Sequence, residues 1–155
     1  MSLRTLALVS GVYDLVLGVP LLLAAPQVAR LFGAPEPVPL VNAWLNGVFT
    51  LALAGGYFWA AGDAPARRGY LWAAGVFAKG LGAAVFVLDH FRHGSPPAFL
   101  LFAATDGTLA LVTLGLLLRT QRAASAALAL QPGRAGFTPA QRAGGLGGVT
   151  QHPPE

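Results

Sequence analysis

The chain has 155 residues, a net charge of +4, 55% hydrophobic residues and only 10% charged ones, where soluble domains carry about 25% charged residues. So little charge cannot cover a water-exposed surface, whereas a lipid-facing surface needs none. No cysteine is present, which excludes disulfides, thiol catalysis and cysteine-ligated zinc, iron–sulfur or c-type haem centres.

Four apolar stretches follow in chain order, each close to the ~20 residues a helix needs to cross the hydrocarbon core. They cover about residues 6–25, 40–61, 70–91 and 98–118, read on that same length. Pro26 ends the first, and Gly62-Asp63 ends the second. Ala34-Pro35-Glu36-Pro37, Asp63-Ala64-Pro65-Ala66-Arg67-Arg68 and Gly94-Ser95-Pro96-Pro97 separate them. Soluble core helices would be shorter and broken by polar stripes. The expected fold is all-α, a four-helix transmembrane bundle over 1–118, followed by a basic, largely disordered tail over 119–155. Within that tail, the Ala-rich stretch 119–130 is a candidate extension of the fourth helix. The first stretch reads as a span rather than a cleaved signal peptide. Pro26 would follow the cut, and Asp14 interrupts the apolar run.

The nine arginines and one lysine lie mostly at span ends, where they report topology rather than a nucleic-acid surface. Arg4, Arg67, Arg68, Arg119, Arg122, Arg134 and Arg142 fall on one side, and Arg30 and Arg92 on the other. The first side is expected to be cytoplasmic, with both termini there. The dominance of Arg, with abundant Ala, Gly, Leu and Pro, suggests a GC-rich bacterium and hence its inner membrane. Trp44, Trp59, Tyr70 and Trp72 occupy interfacial-belt positions.

The spans pair by pattern. Gly11-Val12-Tyr13 followed by Gly18 matches Gly75-Val76-Phe77 followed by Gly82, and Asn46-Gly47 with Gly55 matches Asp106-Gly107 with Gly115. Two tandem, parallel helical-hairpin repeats are expected, related by an axis along the membrane normal. Ala74, Ala78 and Gly82, and likewise Ala52 and Gly56, are spaced by four, as close helix packing in lipid requires.

Asp14 and Lys79 sit mid-span, and Asn46 and Asp106 lie at matching depths in spans two and four, with Asn42 nearer the outer end. Each mid-membrane Asp or Lys costs about 2.5–3.5 kcal/mol, against about −0.3 to −0.6 for each Leu, Val or Phe. The eleven Leu and Val of span one offset about 3–6 kcal/mol on that scale, enough for one aspartate. Span three is close to marginal with Lys79 unpaired. Lys79 is therefore expected to meet Asp14 or Asp106, leaving one carboxyl to hold a proton, the chemistry that proton-coupled transport uses. Asp14, Asn46, Lys79 and Asp106 form the candidate ligand or proton site. An interhelical polar contact without turnover is the competing account.

At the outer end of span three, His90 and His93 share a helical spacing with Asp89, a weak metal pattern; polar residues of a helix end at the headgroups are the expected reading. No histidine lies within a span, so a bis-His haem is excluded. The loop 27–33, with Leu31 and Phe32 beside Arg30, reads as an amphipathic surface turn or a plain connection. Gly144-Gly145-Leu146-Gly147-Gly148 follows no strand and is no phosphate loop. No catalytic residue, cofactor or metal is expected.

Asp14-Leu15-Val16-Leu17-Gly18, Asn46-Gly47-Val48-Phe49 and Asp106-Gly107-Thr108-Leu109, set in a four-span layout, resemble the small bacterial DoxX-like membrane proteins over about residues 4–118. That resemblance implies a four-span bundle, and for some members an association with quinone-linked redox complexes. No redox ligand is present in this chain to receive such a role. The expected function is a binding or proton-linked transport module, with a structural or accessory subunit of a larger membrane complex as the alternative. The expected partners are the lipid bilayer and a second copy or a larger complex, with no nucleic acid.

Overall fold

The computed structural model describes residues 1–130, and all regular structure among them is helical. Its five helices are α1 (Leu3–Leu23), α2 (Ala25–Leu31), α3 (Val41–Gly62), α4 (Arg68–His93) and α5 (Leu100–Ala129), the last entered through a 3₁₀ turn at Pro97–Phe99. The chain divides into one unit over Met1–Thr120, which holds the packed helices, and a second from Gln121 onward. The tail expected to be disordered lies outside the described residues from 131. Residues 119–129 belong to α5 and are helical.

Local signals account for the helix ends. The Ser2 hydroxyl caps α1 by accepting from the Thr5 amide at 3.1 Å. Pro26 does not end the first span but lies in the first turn of α2, where a missing N–H costs nothing. Gly94 stops α4 in the left-handed conformation at φ 68°, which a residue without Cβ adopts freely. Over 71–78, α4 is a π-helix. The Lys79 amide closes that stretch by donating to the Ala74 carbonyl five residues back. The regular four-residue stripe expected for Ala74, Ala78 and Gly82 is therefore split. Ala74 joins the buried core, whereas Ala78 and Gly82 line a cavity.

Three helical stretches, Leu3–Leu23, Arg68–His93 and Pro97–Ala129, are long and apolar enough to cross a membrane. The 22-residue α3 carries no charge, but Asn42, Asn46, its glycines and Trp44, Tyr57 and Trp59 lower its mean hydropathy. Burial runs opposite to that of a water-soluble protein. On α1, Leu8, Val9, Val12, Leu15, Val16 and Val19 are exposed, while Ser10, Gly11, Asp14 and Gly18 are buried. An apolar exterior over a small and polar interior is what a lipid solvent selects.

Helices α1 and α3 run antiparallel in close contact. A Cβ on Gly47 would lie 3.0 Å from the Leu22 nitrogen and 3.1 Å from the Gly18 carbonyl oxygen. Helices α4 and α5 also run antiparallel, with Gly75 against Thr113 and Gly107 against Ala83. Tyr70 packs inward against α3. Its ring lies over Gly56, where any Cβ would collide with it, and its hydroxyl donates to the Leu53 carbonyl at 2.7 Å. Ala52, expected to pack beside Gly56, is exposed. Toward the N-terminal end of α1 the interior is sealed by Ala7, Tyr57, Ala60, Ala61, Leu71 and Leu117.

Because the atoms facing Gly47 are backbone, Gly47→Ala is expected to destabilise the α1–α3 pair by about 1–3 kcal/mol. Thermal melting in detergent reads this out. Gly55→Ala, which faces open space, should melt at or slightly above the wild-type temperature.

Candidate functional site

Lys79 follows the π-helical stretch directly, and its ammonium is buried between α1 and α5. Nζ donates to Asp14 Oδ1 at 2.7 Å and to Asp106 Oδ1 at 3.1 Å. The sequence leaves open which aspartate pairs with the lysine; the ammonium bridges both. Asp14 and Lys79 are 2% and 5% exposed. The Asp106 side chain is 17% exposed. The Tyr13 ring lies 4.6 Å and the Tyr57 ring 5.7 Å from Nζ, so π-faces supply further stabilisation of the buried cation.

This ion triplet forms the floor of a cavity of about 800 Å³. Its walls come from α1, α3, α4 and α5, and α2 with the segment through Pro37 lies across the end away from the N-terminus of α1. Asn46 also lines the cavity, as do Asn42 and Thr50. Asn46 is exposed, and among the described residues its side chain makes no hydrogen bond to the triplet. Of the four candidate residues, three are thus in direct contact, and the fourth shares only the cavity.

One wall is aromatic, and of its residues only Phe32 was singled out from the sequence. Phe32, at the end of α2, lies 4.8 Å from Phe102 between ring centroids, and Phe86 lies 5.5 Å from Phe102 and 6.0 Å from Phe99. The 27–33 segment is therefore a short helix whose exposed Leu31 is followed by an inward Phe32 that joins this wall. Pro20 lies inside α1 and lines the cavity with Val16. Lacking an N–H, it leaves the Val16 carbonyl without its helical donor.

Several buried polar atoms around the triplet have no hydrogen-bond partner: Asp14 Oδ2 and the hydroxyls of Ser10, Tyr13 and Tyr57. Of these residues Asp14 and Tyr13 line the cavity; buried polar atoms are normally paired with protein or ordered water, so these two mark a place suited to a bound species. The Asp89 and His93 side chains pair with each other at 2.7 Å, while His90 Nδ1 pairs with the Ser95 carbonyl. That helix end thus satisfies itself, and no group of three or more metal-ligating side chains occurs among the described residues.

Asp14 has the shorter bond and deeper burial, so Asp14→Asn should cost more stability than Asp106→Asn. Expected losses are about 1–3 kcal/mol for the first and under about 1 kcal/mol for the second. Melting of the two variants in one detergent reads the difference, and equal, unchanged melting would contradict the bridged geometry.

Comparison with protein-family models, with curated proteins and with solved structures finds no match for this chain.

Proposed function

We propose that this chain is a four-span protein of the bacterial inner membrane, with both termini in the cytoplasm, and that its cavity binds a small ligand or a proton at the Asp14–Lys79–Asp106 triplet. One observation carries the reading: a buried charge triplet forms the floor of a cavity. Charges that serve only to join helices need no adjoining void. Ionisable groups within a membrane domain mark ligand and proton paths because they are too costly to keep otherwise. Ionised, the triplet holds one positive and two negative charges, so a proton or a bound cation brings it to neutrality. Proton-linked transport would use that alternation.

The fourth span is α3. It carries no charge and runs beside α1 through contacts at both Gly11–Phe58 and Gly18–Gly47, so both helices cover the same thickness. The tandem repeat gains support from corresponding positions. Gly18 meets Gly47 in the first hairpin, and in the second Gly82 meets Asp106, the neighbour of Gly107. The DoxX-like resemblance fits this layout and supplies no residue role.

An accessory subunit is the second reading. Gly55 and Gly115, equivalent in the repeat, face open space, and uncovered small residues suit a partner helix or a second copy.

Two measurements test these readings. The chain has no cysteine, so single substitutions report topology cleanly. Pro35→Cys should react with an impermeant maleimide in intact cells, whereas Ala66→Cys and Thr120→Cys should react only after permeabilisation. Labelling of Ala66→Cys in intact cells would remove α3 as a span. In proteoliposomes, a pH-dependent proton flux should appear with wild type and fall by about tenfold or more in Asp14→Asn or Asp106→Asn, in line with the usual role of intramembrane carboxyls. No flux from folded wild type would favour the accessory role.

A further inference from the structure

We propose that the cavity takes a hydrophobic organic monocation, an amphipathic amine whose ammonium lies against Asp14 and Asp106 and whose apolar body lies against the phenylalanine wall. This rests on the reading of the cavity as a binding site and names its ligand class.

Two counts point the same way. By charge, one lysine faces two aspartates, and the other polar lining residues, Tyr13, Asn46 and Thr50 among them, are neutral. By hydrogen bonding, an ammonium has three donors and two carboxylates have four oxygens. Two donors of Lys79 are engaged, and Asp14 Oδ2 remains a buried acceptor without a partner. The site is short of positive charge and keeps an open carboxylate acceptor. An anion would meet two carboxylates for one ammonium, and a neutral body would leave the imbalance uncorrected.

The walls specify the rest of the ligand. Phe32, Phe86, Phe99 and Phe102 present aromatic surface, which attracts cations at ring faces and accepts apolar groups. A volume of about 800 Å³ is that of a site for a small organic molecule. That apolar and aromatic lining calls for an organic body attached to the charge rather than a bare ion.

The test is equilibrium dialysis of the full chain in detergent against phenylbutylamine, phenylbutyrate and phenylbutanol, with protein-free micelles subtracted. The amine should bind about tenfold or more tighter than either of the others, a factor worth about 1.4 kcal/mol. That preference should fall about tenfold in Asp106→Asn, which retains the Asp14–Lys79 pair and its fold. Preference for the acid, or equal binding of amine and alcohol, would overturn the charge assignment while leaving the cavity a binding site. Binding of none of the three would overturn the cavity reading itself.

Discussion

A lysine ammonium held in a low-dielectric interior is the constraint on which the rest of this molecule depends. Removing such an ion from water costs several kcal/mol, and the cost is met only where opposite charge and hydrogen bonds surround it. Asp14 from α1 and Asp106 from α5 supply both, at 2.7 and 3.1 Å from Lys79 of α4. Three helices are thereby tied at one depth. The tyrosine rings at 4.6 and 5.7 Å add the only other favourable surface near Nζ among the described residues. The pairing also offsets the cost of Lys79 within a helix long and apolar enough to cross a membrane.

Packing on the two sides of the triplet differs in kind. Toward the N-terminal end of α1, alanines, Tyr57, Leu71 and Leu117 close the interior. Toward the other end, the helices part around the cavity under α2 and the phenylalanine wall. The same triplet therefore ends a sealed half and begins an open one. For the proposed orientation, the open half faces away from the cytoplasm. A species entering from that side would meet apolar and aromatic surface first and charge last, the order in which an amphipathic molecule is stripped of water.

Much of this was legible in the sequence because lipid imposes a simple rule: apolar stretches of fixed length must be helices, and charges within them must be paired. The first three apolar stretches lie within a few residues of α1, α3 and α4, whereas α5 runs on past the fourth to Ala129, and the meeting of Lys79 with an aspartate followed from energetic need alone. The bridging of both aspartates was not legible, since depth along a helix does not specify rotation about it. The π-helical stretch at 71–78 shifts that rotation for the residues around Lys79, and no local propensity announces it. Asn46 illustrates the same limit. Its expected depth matched that of Asp106, yet it reaches only the cavity and not the ammonium. The contacts of Phe32 and Tyr70 were not legible for a related reason. Their surroundings are made by distant residues, Phe99 and Phe102 for the first and Gly56 for the second.

The central claim is that the ammonium of Lys79 and the two carboxylates are held as one compensated unit. The most direct measurement compares the melting of Lys79→Met with that of the same substitution combined with Asp14→Asn and Asp106→Asn. The account predicts that the single variant loses about 3–5 kcal/mol, because two carboxylates are left buried without their cation. It also predicts that the triple variant, with no buried charge remaining, recovers most of that loss. Wild-type melting of Lys79→Met, or no recovery in the triple variant, would contradict it.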